Sequence, residues 1–245
     1  MAELYENLIS RQIKIFSSQE QEKLRYTKVT VVGCGGLGGS VIEQLVRAGF
    51  ENIKIIDCDV FDQTNLNRQI RSNLDTIGQS KVQVTKSAML KINPNSVVDV
   101  FEGIINQKNA YKILGDSDIV IDAVDNVLTR VIISRACKEL GIPFVHAAVE
   151  ITQGQLSIFT KESPSYEELF NLKSKNKELT EEVENYLLKI SSKKPQVLGT
   201  TAAVFGNLEV IETIKFILNK EYLIVSPNVL MGDVLNMASF EIINF

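Results

Sequence analysis

The sequence predicts an α/β fold: a mostly parallel sheet with helices on both faces, extended by antiparallel strands near the C-terminus. Three observations predict it. Strand and helix signals alternate from residue 28 to residue 147. The strand segments are continuous apolar runs, the pattern of strands covered on both faces. A glycine-rich turn joins the first strand of this alternation directly to its first helix.

The elements follow in order. Residues 3–16 read as a helix because Leu4, Tyr5, Leu8, Ile9, Ile13 and Phe16 form one broad apolar stripe. Arg11 sits at the edge of that stripe, where a long stem can lie on apolar surface while its charge projects. A short helix from Ser18 to about Arg25 leads into the first strand. Strands are expected at 28–33, 52–57, 97–102, 118–122 and 143–147, and helices at 36–48, 80–91, 106–114 and 126–140. Gly49, Pro94, Gly115 and Gly141-Ile142-Pro143 punctuate them. After Glu150 the pattern changes. Gln155 to Phe159 reads as another strand. Residues 161–195 are rich in Lys and Glu, and Leu179, Val183, Tyr186, Leu187 and Ile190 mark an amphipathic helix there. Lys193-Lys194-Pro195 reads as a flexible junction. A helix near 200–219 and strands near 222–225 and 239–244 close the chain.

Composition limits the function. The chain has 245 residues, 44% hydrophobic and 23% charged, enough apolar material for a substantial core. Its net charge is −4 and no basic patch stands out, so nucleic acid is not the expected partner. No signal-peptide pattern or bilayer-length apolar run is present, which leads to the expectation of a cytoplasmic protein with no membrane partner. Cys34, Cys58 and Cys137 form no Cys-x-x-Cys pair. All three read as small buried hydrophobes.

Gly33-x-Gly35-x-x-Gly38 follows the strand Val29-Thr30-Val31-Val32 and opens a helix. Such a turn lets the backbone approach a phosphate, and the helix N-terminus adds free N–H groups and a positive dipole end. Asp57 lies at the end of the second strand, where a carboxylate meets ribose hydroxyls. The alternative is a tight strand–helix packing with no ligand. Asn65, Arg68 and Lys81 exceed what ribose binding needs and suit a triphosphate, whose oxygens gain charge under nucleophilic attack. Asp122-Ala123-Val124-Asp125-Asn126 follows the fourth strand, where a carboxylate suits the magnesium that accompanies ATP. Asp125 also reads as a possible N-cap. His146, the single histidine, reads as a hydrogen-bonded structural residue.

These segments together resemble the ThiF/MoeB/HesA family of adenylating enzymes, related to the activating enzymes of ubiquitin-like proteins. The resemblance rests on Ser10-Arg11-Gln12, Gly33 to Gly38, Asp57-Cys58-Asp59, Thr64-Asn65-Leu66-Asn67-Arg68-Gln69, Gly78-Gln79-Ser80-Lys81-Val82, Ile92-Asn93-Pro94 and Asp122 to Asn126. It implies a Rossmann-like ATP-binding adenylation domain over 1–245. That domain comprises a helical arm (1–26), a nucleotide-binding core (27–160), a charged crossover or docking segment (161–198) and a C-terminal helix with antiparallel strands (199–245). It further implies that Gly33, Gly35, Gly36, Leu37 and Gly38 cradle the ATP phosphates. Asp57 then binds the ribose, with Asp59, Gln69 and Asn126 completing the nucleotide site. Asn65, Arg68 and Lys81 contact the phosphates, Asp125 positions Mg, and Arg11 reaches in trans into the other subunit of a homodimer. The implied substrate is the Gly-Gly C-terminus of a small ubiquitin-like or sulfur-carrier protein, activated as an acyl-adenylate with release of pyrophosphate.

Two departures narrow this. Ser165-Tyr166-Glu167-Glu168 stands where many relatives carry the first cysteine pair of a zinc site, so no zinc is expected. Ser191 to Gly199, the matching crossover stretch, has no acceptor cysteine, so the reaction is expected to stop at the acyl-adenylate. Competing readings are a relative that activates threonylcarbamoyl-adenosine in tRNA, a non-catalytic partner subunit and, last, a dehydrogenase.

Overall fold

The structure, a computed structural model, describes residues 2–192 and 196–245. The expected junction at Lys193-Lys194-Pro195 lies outside them. The chain opens with helices α1 (Ala2–Ile9) and α2 (Ser18–Tyr26). It continues through β1 (Lys28–Val32), α3 (Gly36–Arg47), β2 (Asn52–Asp57), α4 (Lys81–Ile92), β3 (Val97–Glu102), α5 (Ala110–Leu114), β4 (Ile119–Asp122), α6 (Val127–Leu140) and β5 (Phe144–Glu150). Then come β6 (Gln153–Phe159), α7 (Tyr166–Leu169), α8 (Glu181–Ile190), α9 (Gly199–Ile217), β7 (Asn228–Asp233) and β8 (Asn236–Asn244).

One eight-stranded sheet has the order β3-β2-β1-β4-β5-β6-β7-β8. The first five strands in that order are parallel, and β6, β7 and β8 add antiparallel. Alternation along each strand fills both faces. Val29 and Val31 pack with Val41, Leu45 and Val210 from α3 and α9, while Val32 packs with Val131 and Leu187 on the α6 and α8 side. Burying each such side chain contributes roughly 1.5–3 kcal/mol. The order reverses between β1 and β4, and the crevice at a topological switch point receives ligands in open α/β sheets.

The N-terminal helix stops at Ile9 and does not run to residue 16. Gln12 and Gln21 both donate to Ala48 O, at 2.8 and 3.0 Å, so the chain turns to satisfy the C-terminal carbonyl end of α3. Ile13 is left exposed. The 106–114 helix shortens to α5 because the Asn106 and Asn109 side chains bond to the backbone amides of Lys108 and Asn106. Residues 222–225 form no strand. Ile224 N–H donates to the Glu212 carboxylate, and only Val225 forms an isolated bridge to Ile158. The neighbouring strand is β7, six residues further along the chain, and β8 begins three residues earlier than expected.

The charged segment after β6 is fastened to α6. Arg135 donates to both Glu167 oxygens (2.7 and 2.8 Å), to Ser174 O and to Lys177 O. Among the described residues no helix is long and apolar enough to cross a membrane.

Candidate functional site

The site forms at the carboxyl ends of β1, β2 and β4. Gly33 N–H donates to Ile56 O, tying the turn to β2, and Gly33 has φ +102°. A Cβ there would lie 2.5 Å from Ala123 O. A Cβ on Gly38 would lie 1.8 Å from Gly33 O, so the first turn of α3 presses on the strand end. Gly35 is the N-cap of α3 and supplies no side-chain cap, which leaves amides at the helix N-terminus for an anion. Gly36 faces the Arg68 stem, and Leu37 is buried beneath.

Asp57 lies over this turn. Its Oδ2 accepts from Cys34 N–H at 2.7 Å and its Oδ1 from Asp59 N–H at 2.9 Å. Lys81, the first residue of α4, is buried with its Nζ 3.0 Å from Asp59 Oδ2. Asn65 ends a short 3-10 helix, Gln63–Asn65, and its Oδ1 accepts from Asp62 N–H. The Asn65 carbonyl in turn holds the Arg68 and Gln69 amides. The Arg68 guanidinium donates to Thr64 O and Asn67 Oδ1 (2.8 and 2.9 Å), and no carboxylate among the described residues pairs with it. The buried Gln69 amide nitrogen lies 3.7 Å from a Cβ position on Gly35, and its Oε1 has no hydrogen-bond partner among the described residues.

At the tip of β4, Asp125 is exposed and makes no hydrogen bond or ion pair among the described residues. The N-cap reading of Asp125 is corrected: Asn126 caps α6, its Oδ1 accepting from Thr129 N–H at 2.8 Å. The structure thus gathers Gly33 to Gly38, Asp57, Asp59, Asn65, Arg68, Gln69, Lys81, Asp125 and Asn126 at one sheet edge. It does not bring Arg11 there. Arg11 is exposed beside Gln12, at the C-terminal end of α3. The glycine turn lies at the opposite end of that helix, about 18 Å away by helical rise.

Sequence reading missed a buried network under β4. Asp122 is fully buried, and its Oδ2 accepts from Arg130 Nε at 2.5 Å and from His146 Nδ1 at 2.7 Å. Gln155 donates to His146 Nε2 at 3.2 Å. Burial, helped by Arg130, lowers the His146 pKa to about 4, so the ring is neutral at pH 7 and donates from Nδ1. Burial opposes the Asp122 charge, but Arg130 and His146 outweigh it and hold its pKa below the usual carboxylate range. Glu209 on α9 is fully buried, and burial together with Asp122 raises its pKa well above normal. The available signal was a charged residue inside each apolar run: Asp122 after Ile119-Val120-Ile121, and Arg130 before Val131-Ile132-Ile133.

The cysteine reading needs one correction. Cys34 and Cys137 are buried, but Cys58 is exposed beside Asp57 and Asp59. Burial raises all three thiol pKa values, so none is poised as a thiolate.

A glycine turn feeding a helix N-terminus, a carboxylate at the tip of the next strand, and basic groups on the loop and helix beyond define a Rossmann-like nucleotide-binding domain. More particularly, the chain belongs to the ThiF family, whose model matches residues 9–244. A probable molybdopterin-synthase adenylyltransferase of Porphyra purpurea is 35% identical over 213 residues, covering 86% of this chain and 53% of that protein. The SAMP-activating enzyme E1 of Haloferax volcanii is 33% identical over 150 residues, covering 61% and 56%. The chain spans about half the length of the curated relatives it matches. Escherichia coli MccB crystallised with ATP shares the fold, with a TM-score of 0.80 at 23% identity over 98% of this chain and 72% of that one.

Proposed function

We propose that this chain is an adenylyltransferase that activates the C-terminal carboxylate of a small ubiquitin-like or sulfur-carrier protein with a Gly-Gly end. One observation carries the reading. Among the described residues Arg68 pairs with no carboxylate and packs its stem on the glycine turn, while Asp125 makes no hydrogen bond or ion pair across the same sheet edge.

ATP fits this edge. The α3 amides and Gly33 to Gly38 hold phosphates, Asp57 takes the ribose, and the unmatched Gln69 oxygen accepts a donor from the nucleotide. Asp59, Asn65 and Asn126 brace the groups around it. The donor set also fits magnesium, which prefers oxygen ligands and takes one or two carboxylates plus substrate phosphates. Asp125 would hold it, and the bound ion would neutralise charge on the phosphates. The carrier carboxylate oxygen attacks the α-phosphorus. The bond from that phosphorus to the bridging oxygen breaks, giving acyl-adenylate and pyrophosphate. Arg68 and Lys81 stabilise charge growing on the phosphate oxygens in that step. Arg11, too far from its own site, acts across a two-fold dimer.

Pyrophosphate exchange into ATP, run with purified Gly-Gly carriers one at a time, tests the reading. Exchange should require a carrier and fall by about 100-fold or more in Arg68→Ala and Asp125→Ala, a barrier increase of about 2.7 kcal/mol. Exchange stimulated by tRNA alone, or NAD reduction without exchange, would overturn it.

A further inference from the structure

Among the described residues Asp125 makes no side-chain hydrogen bond or ion pair, so its position is set by the residue before it. Val124 is held at both of its backbone groups. Its N–H donates to Asp122 Oδ1 at 3.0 Å, and its carbonyl accepts from an Arg130 terminal nitrogen at 2.6 Å. The same guanidinium donates its Nε–H to Asp122 Oδ2 at 2.5 Å. His146 bonds that same oxygen, and Gln155 bonds the far side of the imidazole, fixing the carboxylate from the next two strands of the sheet. Tyr166 lies under the guanidinium, 5.7 Å from ring centroid to Cζ.

A buried ion pair is a poor device for stability alone, since apolar side chains of similar size serve as well. A forked donor that grips a carboxylate and a turn carbonyl together does something apolar packing cannot: it fixes a backbone height. We propose that Arg130 is a positioning residue, locked by Asp122 and His146, that sets the Val124 turn and so places Asp125 for magnesium. The inference rests on the magnesium role given to Asp125 above. Arg130 itself is buried beneath the turn and acts through Val124.

The test uses the full chain with Arg130→Lys and, as control, Asp125→Ala. Lysine keeps a cation beside Asp122 and so preserves the fold, but it cannot reach both acceptors at once. Amide hydrogen exchange reads the turn. Calorimetric titration with ATP, in EDTA and then in magnesium chloride, reads the metal. In Arg130→Lys the Val124 amide should exchange about tenfold faster, while the β1 and β2 amides of Val31 and Ile55 stay within about twofold. The gain in ATP affinity on adding magnesium should shrink at least about fivefold, with metal-free affinity within about twofold of wild type. Asp125→Ala should abolish the gain and leave Val124 protected. Unchanged Val124 exchange, an unchanged magnesium gain, or amides that all lose protection together would overturn the proposal. A wild-type chain with no magnesium gain overturns the role of Asp125 instead, and the Val124 exchange then still decides whether Arg130 sets the turn.

Discussion

Acid should draw stability from this protein through His146, and the amount follows from the burial of that ring. His146 has no exposed surface, and its folded pKa is about 4 against an ordinary value of 6.5. A histidine whose folded pKa is depressed binds its proton more readily in the unfolded chain. The unfolded state therefore holds more protons between pH 4 and 6.5, and stability falls as pH falls through that window. Integrating the proton difference gives a loss of about 2 kcal/mol between pH 7 and pH 5, and about 3 kcal/mol by pH 4. Glu209 acts in the opposite sense. Its raised folded pKa makes the native state the better proton binder above the ordinary glutamate pKa, so it stabilises most at the acidic end and its contribution is lost as pH rises. The two separate cleanly in a difference experiment. His146→Gln keeps an amide donor for Asp122 but removes the titration. Urea unfolding of both proteins at pH 7, 6 and 5 should show the wild type losing about 2 kcal/mol more than the variant between pH 7 and pH 5. Equal slopes in the two proteins would refute the reasoning, and with it the neutral imidazole that donates to Asp122.

Three further outcomes are expected. Gly38→Ala places a methyl 1.8 Å from the Gly33 carbonyl, which backbone cannot relieve, so it should cost about 3 kcal/mol or more and lower Tm by about 6 °C or more. Gly35→Ala meets nothing nearer than 3.7 Å and should unfold within about 2 °C of wild type while weakening ATP binding in calorimetry; equal Tm losses in both variants would contradict the cradle. If Arg11 acts across a dimer, inactive Arg11→Ala and Arg68→Ala chains, mixed and re-associated, should recover about a quarter of wild-type exchange, because half the dimers carry one intact site. No recovery in a mixture shown to exchange subunits would place Arg11 elsewhere.

The candidate nucleotide edge was legible as a cluster because the requirements of its turn are local. Gly38 presses on Gly33 within six residues of chain, Gly33 takes a positive φ that glycine alone adopts readily, and Asp57 follows from where β2 ends. The parallel core was legible because apolar runs of four to six residues recur between helical segments. What sequence could not supply was pairing. Asp122 and His146 are 24 residues apart and meet only because β4 and β5 align them in register. The N-terminal stripe misled for a related reason. Tyr5 and Ile9 do pack against the end of α3, but two glutamine amides compete for the same carbonyl and bend the chain before Ile13 can follow. Strand β7 was missed because Asn228, Gly232 and Asp233 depress its local strand signal, whereas its place is set by pairing with β6.

Charge at the sheet edge argues for help from outside a single chain. Arg68 and Lys81 face three carboxylates, Asp57, Asp59 and Asp125, and Lys81 is already paired with Asp59. Beneath them, neutral His146 and the raised pKa of Glu209 leave the Asp122–Arg130 pair, whose charges cancel. Among the described residues the chain alone therefore presents no net positive charge at this edge to a triphosphate beyond the α3 N-terminus, which contributes only about half a charge. Asp125 is costly on this count unless a cation joins it, since a bare carboxylate near phosphate is repulsive. A divalent ion at Asp125 turns that repulsion into attraction, and an arginine from a second subunit would add the positive charge that the first one keeps at the far end of α3. Both additions answer the same electrostatic deficit, so on this reading removing either should weaken ATP binding more steeply at low ionic strength than at high.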